Sequence, residues 1–347
     1  MRYLITGGRG FVGEWVVRKL EREGNEVVIM SNLSHPSEES AGRKFSYGDV
    51  RYAFDVDKAV RDVDVVIHLA ARINVDRSRE FADPFFETNV RGTYNVLEAC
   101  RKFKKKLVMA STSEALGSMR MECCGLHTPD KKDYKEGEYF SKTGIMSRGM
   151  NEAHPYSPDN PYGATKAAAD MLAIGWHKSF GVDVTILRSF NITGIGQSFD
   201  KEGAFVPKVI NKVINGENPT IFGAGDQTRD YVYVADVADA YYRLSMGNYA
   251  GEIFHVGSGK EVSIKQVAEK LIDISGKDLE IEYLPGRPQE VKRLLCDNSK
   301  IRSIGWVPTK GIDDILREMY NYAMMKEIGV TDLDEILSRR HNERMGR

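Results

Sequence analysis

No excess of either charge marks this chain. Its 49 Lys and Arg against 50 Asp and Glu leave a formal net charge of −1 over 347 residues, so neither nucleic acid nor a membrane surface is attracted to it as a polyelectrolyte. Soft metal ligands are equally scarce. The four cysteines stand at Cys100, Cys123, Cys124 and Cys296, without the Cys-x-x-Cys spacing of zinc or redox sites, so no metal is expected. No apolar run approaches the roughly 20 residues that span a bilayer. The first strand candidate, Arg2 to Thr6, starts directly after Met1 and leaves no room for the charged and apolar regions of a secretion signal. These absences predict a reduced, cytoplasmic protein with structural thiols. The length is enough for a large core, and roughly one domain per 100 to 200 residues permits two.

What is present is an alternation of apolar runs and helical periods. Tyr3-Leu4-Ile5-Thr6 stops at Gly7-Gly8-Arg9-Gly10-Phe11-Val12-Gly13, after which Val12, Trp15, Val16 and Leu20 recur at helical spacing. Strand, glycine turn and helix in this order predict a dinucleotide site. The glycines allow a tight turn and close backbone approach, and the helix N-terminus at Phe11 and Val12 favours a pyrophosphate. The second strand, Glu26 to Met30, ends at Ser31 where an acid would hold the ribose hydroxyls of NAD. Arg9 and Ser31 together suit a 2′-phosphate, so NAD and NADP both stay open. Asp49 and Val50, after a third strand, are expected near adenine.

Asp64 to Leu69 reads as a strand buried on both faces and runs into the small residues Ala70 and Ala71. Pro84 to Phe103 follows as one long helix carrying Asn89. Lys106 to Ala110 then delivers Ser111-Thr112-Ser113-Glu114 to the carboxyl end of the sheet, where open α/β sheets bind ligands. Residues 118–159 lack a period and read as a lid-like insertion. Beyond them lies Asn160-Pro161-Tyr162-Gly163-Ala164-Thr165-Lys166. In a helix, Tyr162 and Lys166 share one face at i and i+4, and an ammonium beside a phenol favours its ionised, basic form. Val182 to Arg188 is a sixth strand that leads to Asn191. Ala204–Asn215, Ser263–Ser275 and Gly311–Glu327 read as helices, and Thr220–Phe222 and Glu252–Val256 as strands. This later region shows no β-α-β rhythm of its own, and residues 331–347 form a charged tail.

The glycine turn, Thr112 and Tyr162-x-x-x-Lys166, in that order, resemble the extended short-chain dehydrogenase/reductase family, specifically its nucleotide-sugar epimerases and dehydratases. The likeness runs from Met1 to about Tyr322 and includes His68-Leu69-Ala70-Ala71, Arg188-Ser189-Phe190-Asn191, Gln227-Thr228-Arg229-Asp230-Tyr231 and Gly286-Arg287-Pro288. It implies an α/β fold, a Rossmann-type doubly wound parallel sheet in residues 1–188, and a smaller substrate-binding region in 189–330 with some segments returning to the first. It also implies NAD or NADP, held by Gly7, Arg9, Gly10, Phe11, Val12, Gly13, Ser31, Asp49, Val50, Leu69, Ala70, Ala71, Tyr162 and Lys166.

By that resemblance Tyr162 is the base, Lys166 its partner, and Thr112 the hydroxyl that binds the sugar oxygen, so that C4 of a nucleotide-diphosphate sugar is oxidised and later reduced. Asn89, Asn191, Val206, Arg229 and Arg287 are the implied substrate contacts. Ser113 and Glu114 decide between members: a carboxylate there can take the C5 proton of a 4-keto sugar and help expel the C6 hydroxyl. The expectation is a 4,6-dehydratase. A 4-epimerase, a uronate decarboxylase and a non-catalytic cofactor sensor are the alternatives. Thymidine-sugar dehydratases usually carry Asp where Ser113 stands, which separates this chain from a close copy of them. A homodimer through a four-helix bundle, built from Pro84–Phe103 and Tyr162–Phe180, is also implied.

Overall fold

The alternation of buried apolar runs with one-faced helices becomes a parallel sheet covered by helices. The computed structural model describes residues 1–32, 43–119, 139–140, 146–147, 149–199, 204–287 and 291–327. The first part of the chain runs β1 (Arg2–Thr6), α1 (Phe11–Arg22), β2 (Glu26–Ser31), β3 (Lys44–Tyr47), α2 (Ala53–Val60), β4 (Val65–His68), α3 (Val75–Glu80), α4 (Asp83–Phe85), a π-helical turn (Phe86–Arg91), α5 (Gly92–Phe103) and β5 (Lys106–Thr112). Then come β6 (Tyr139–Phe140), β7 (Met146–Ser147), α6 (Pro161–Phe180), β8 (Val184–Ser189), β9 (Asn191–Thr193), α7 (Phe205–Ile214), β10 (Thr220–Phe222), β11 (Thr228–Tyr233), α8 (Val234–Met246) and β12 (Ile253–Val256). The chain ends its described part with β13 (Glu261–Ser263), α9 (Ile264–Ser275), β14 (Glu282–Leu284), α10 (Ser299–Ser303) and α11 (Ile312–Glu327).

Seven strands form one sheet in the order β12-β8-β5-β4-β1-β2-β3, all parallel. Direction of travel reverses between β1 and β4. That is the switch point beside which such sheets bind ligands, at the carboxyl ends of the strands. The register places Thr6 beside His68 and His68 beside Met109, so β1 and β4 end level while β5 runs on past them to Thr112. Val66, Ile67, Leu107 and Val108 are fully buried, each worth about 1.5–3 kcal/mol as removed apolar surface.

The chain divides into two units. The first contains Met1–Ile192, Thr228–Glu261 and Gln289–Thr309; the second contains the described residues of Thr193–Gln227, Val262–Pro288 and Lys310–Arg347. Within the second, α7, α9 and α11 pack together and β10 pairs with β14. Ser263 starts α9 with a reciprocal capping box to Gln266.

Three expectations change. The single helix over Pro84 to Phe103 is interrupted by the π-helical turn, which widens the coil at Asn89. Strand β5 runs on through Ser111 and Thr112, so these two hydroxyls are strand residues rather than loop residues. Helices α2 and α8 were not read from the sequence, and β12 does not belong to the later region but pairs with β8 at the edge of the main sheet. The proposed insertion falls largely outside the described residues, as does the tail 331–347. The roots of the insertion are fixed: Ser118 donates its N–H to Asp159 (3.0 Å) and Met119 to the Arg293 carbonyl (3.1 Å), while Met150 donates to Leu295 (2.8 Å).

Candidate active site

Helix α6 begins where its sequence says it should. Asn160 accepts the Gly163 N–H at 2.8 Å as N-cap, and Pro161 occupies the first turn. The start is also held from outside, because Ser78 accepts the Tyr162 N–H at 3.1 Å. Asn160 has a second duty: its Nδ2 donates to Glu114 Oε2 at 2.9 Å. The cap of the helix therefore orients the carboxylate that follows β5.

From this start, one face of α6 presents Tyr162, Lys166 and Asp170 at i, i+4 and i+8, and each meets a different consecutive residue of β5. The Tyr162 hydroxyl bonds Thr112. Lys166 Nζ donates to the Ala110 carbonyl. Asp170 Oδ2 accepts from Ser111 Oγ at 2.9 Å. All three side chains are at most 8% exposed. Thr112 also accepts the Glu114 N–H at 3.3 Å, capping a 3₁₀ turn over Ser113–Ala115.

The expected acidic phenol is not found in this arrangement. Burial, opposed by the Thr112 hydrogen bond and reinforced by the charges of Glu114 and Asp170, raises the Tyr162 pKa. Lys166 is turned to a backbone carbonyl instead. Its own pKa falls to about 8 because of burial, with Asp170 acting in the opposite direction. Both groups are in place, and burial works against ionisation of the phenol.

The glycine turn fits a dinucleotide. Gly7 adopts a left-handed φ of +71°, and a Cβ there would stand 2.8 Å from Ala70 N; a Cβ at Gly13 would stand 2.3 Å from Gly7 O. Gly10 is the N-cap of α1 and supplies no side-chain cap, so the first-turn amides at Phe11 and Val12 meet no capping side chain and suit an anion. Leu69, Ala70 and Ala71 follow β4 and are half-buried. Arg9 lies in the turn, and Ser31 ends β2, accepting the Gly48 N–H at 3.2 Å. Asp49 is committed to protein partners: Asn32 donates at 2.9 Å and Arg51 forms an ion pair at 2.8 Å. Burial works against its charge, but these bonds hold its pKa down to about 2. Val50 is buried, and its carbonyl accepts from Asn95 at 2.9 Å.

Two of the expected substrate contacts are buried among protein partners. Asn89 is 1% exposed, and its amide is taken up by protein: Oδ1 accepts the Arg72 N–H (2.8 Å), while Nδ2 donates to the Arg72 carbonyl (3.0 Å) and Thr165 Oγ1 (3.0 Å). Asn89 is a brace. Val206, in α7 of the second unit, is 2% exposed and packs as a core residue. Asn191 is half-buried, and its Nδ2 finds no protein partner among the described residues. Arg229 Nη1 donates to the Thr228 carbonyl at 2.8 Å. Arg287, in the second unit, lies 4.0 Å from the Phe222 ring centroid.

Sequence reasoning missed a directional relay below the site. Ala70 N–H donates to Thr6 Oγ1 (3.2 Å), Thr6 stands 2.7 Å from His68 Nδ1, His68 Nε2 stands 3.2 Å from Thr93 Oγ1, and Thr93 donates to the Asn89 carbonyl (2.6 Å). Since Thr93 spends its proton on the carbonyl, His68 must donate from Nε2 and accept at Nδ1. Burial, with Lys166 nearby, holds the imidazole neutral with a pKa of about 3. Only the position of His68 at the end of a buried strand hinted at this.

The comparisons agree with the geometry. A family model described as the NAD dependent epimerase/dehydratase family matches residues 3–257. A protein of Methanocaldococcus jannaschii whose name proposes a UDP-glucose 4-epimerase is 33% identical over 92% of this chain and 97% of its own length. The dTDP-glucose 4,6-dehydratase of Streptomyces niveus is 30% identical over 92% of this chain and 91% of its own. The Thermus thermophilus UDP-glucose 4-epimerase structure with NAD superposes with a TM-score of 0.80, at 29% identity over 95% of this chain and all of that one.

Proposed function

Since the chain belongs to the NAD dependent epimerase/dehydratase family, we propose that it is a nucleotide-sugar 4,6-dehydratase. The observation that carries the reading is Glu114, a carboxylate fixed by Asn160 and close enough for its charge to act on the Tyr162 phenol. A bound NAD(P), for which Gly7, Gly10, Gly13, Ala70, Ala71 and Lys166 are the candidate contacts, supplies reversible hydride acceptance. The chain's own groups move the protons. Thr112 holds the sugar's C4 oxygen, and Tyr162 takes the C4 hydroxyl proton once its own has been released to solvent, the Lys166 ammonium offsetting the phenolate until that proton arrives. With C4 a ketone, the C5 proton becomes acidic. Glu114 takes it and returns it to the departing C6 hydroxyl, which leaves as water. Re-reduction at C6 would be the chemistry the bound cofactor supplies, and the proton that C5 then needs would come from solvent through Glu114, matching the one that Tyr162 gives back. Asn191 and Arg229 are the candidates for the nucleotide in the first unit.

A 4-epimerase is the second reading. It is favoured by Ser113, which is 2% exposed and provides a hydroxyl where a second acid would assist dehydration. The named relatives include both activities. Incubation with a panel of sugar nucleotides, followed by mass spectrometry, separates them: loss of water supports the dehydratase, an unchanged mass with altered C4 configuration supports the epimerase, and loss of carbon dioxide supports a decarboxylase.

Pairing of two chains through α5 and α6 belongs to the same proposal. Tyr94, Ala164, Ala168 and Met171 leave an exposed apolar face on these helices, with Phe86 exposed in the π-helical turn before α5, and Tyr94 packs edge-on against Trp176 at 5.7 Å, joining the two into one surface.

A further inference from the structure

Asp170 is buried, ionisable and unused by the chemistry above. It is 0% exposed, and its Oδ2 collects three donors: Ser111 Oγ, Arg188 Nε at 3.0 Å and Tyr156 OH at 3.2 Å. Its Oδ1 is buried with no hydrogen-bond partner among the described residues. A carboxylate so lopsided is costly unless its charge is needed. Arg188 offsets it but is shared, since the guanidinium also stacks on Tyr156 at 4.5 Å and donates to His255 Nε2 at 3.3 Å. His255 is fixed as acceptor there because its Nδ1 faces the Met150 carbonyl at 2.9 Å.

On the same face of α6, Lys166 is a buried ammonium whose hydrogen bond goes to a neutral carbonyl. His68 and Tyr162 are its other titratable neighbours, and neither carries negative charge at rest. Asp170, one turn along, is the group whose charge supports it. Ser111, which anchors Asp170, lies between Ala110 and Thr112, which anchor Lys166 and Tyr162. Movement of one rung therefore shifts the others.

Resting on the function proposed above, we propose that Asp170, seated by Arg188, is a positioning residue for Lys166: its carboxylate keeps the buried ammonium charged and in line with Tyr162. It touches neither sugar nor reacting atoms. An opposite charge one helical turn away favours the charged form of an ammonium. Removing it should therefore discharge Lys166 at lower pH.

The test follows the Lys166 Cε resonance in the whole protein by NMR, assigned with Lys166→Met, as a function of pH without substrate. In Asp170→Asn the midpoint should fall by at least about one unit. Should that variant fail to fold, Asp170→Asn with Arg188→Met removes both charges and leaves no unpaired ion; its midpoint should fall likewise. Where turnover is measurable, the alkaline limb of kcat should move with the resonance, kcat near neutrality should drop about tenfold, and KM should hold within about twofold. An unmoved Lys166 midpoint in whichever variant folds overturns the proposal. Because the resonance needs no sugar, that result is distinct from failure of the dehydratase reading, which would show as a shifted midpoint with no product.

Discussion

Asn160 holds both the first turn of α6, through its Oδ1, and the Glu114 carboxylate, through its Nδ2 at 2.9 Å. The start of the helix that carries Tyr162 and the orientation of Glu114 are thus set by one amide. In Glu114→Gln the neighbouring geometry can persist while the C5 base is lost. Hydrogen–deuterium exchange at C5 and release of water should fall at least 100-fold, while reduction of the cofactor by the sugar continues. Water release at the wild-type rate would remove the dehydratase reading. Asn160→Ala should cost about 1 kcal/mol of stability as a lost cap and lower water release as well.

Tyr162→Phe separates enzyme from sensor. The phenyl ring preserves packing against Phe85, which it meets edge-on at 6.5 Å, but removes the group that takes the proton. Turnover should fall by about 10²–10⁴, with cofactor fluorescence and binding retained. An indifferent variant would favour a non-catalytic role.

Lys166 gives a pH limb. Its folded pKa of about 8 lies below the ordinary 10.5 because burial disfavours the charge. Below about 8 the ammonium is present; above it the compensation for a phenolate is lost, so kcat should decline on the alkaline side around pH 8. The stability consequence has the opposite sense. The folded state pays to hold the charge below pH 8, and this penalty fades between 8 and 10.5. Lys166→Met should therefore raise stability at pH 7, by up to about 3 kcal/mol, while lowering activity. Thermal melts across pH check the sign.

Asp230 should shape the acid range. Its carboxylate accepts from Ser258 N and Oγ, both at 2.7 Å, Gly259 N at 2.9 Å and Cys296 N at 3.1 Å. Burial nevertheless raises its pKa from 3.8 to about 6, with those bonds opposing. The folded state binds the proton more tightly, so this contribution is full below pH 4 and is lost as pH rises through 6. The melting temperature should lose that share, about 3 kcal/mol at most, between pH 4 and 6. Asp230→Asn, which cannot titrate, should lack it.

The helix face offers a test of pairing. Ala168 is exposed in the middle of the α6 stripe, so a charge there disturbs no buried contact within the chain. Ala168→Glu should run as a monomer in gel filtration while keeping its melting temperature within a few degrees; a wild-type protein that is itself monomeric at micromolar concentration would end the proposal.

Much of this arrangement could be read in advance where local chemistry dictates geometry. The glycines declared a turn because only they tolerate its close contacts, and Tyr162 with Lys166 declared a shared face because helical spacing requires it. The spacing of Asn89 shows its position but not that protein partners take up its amide. The turn of Lys166 toward Ala110, and the His68 relay, depend on strands far apart in sequence arriving level. Helix α8 was not read because nothing local shows where the polar Asp236 of its first turn goes; it is 3% exposed and accepts from Thr309 N (2.9 Å) and Thr309 Oγ1 (2.6 Å).

The first unit is written in three pieces, and its sheet acquires its outermost strand, β12, only at residues 253–256, with Gln289–Thr309 later still. A ribosome that has made the first 192 residues has therefore released an incomplete nucleotide-binding half, with the flank of β8 bare. Synthesis must run past Thr309 before that half can close, and this chain should resist being cut into two independently expressed fragments at Ile192.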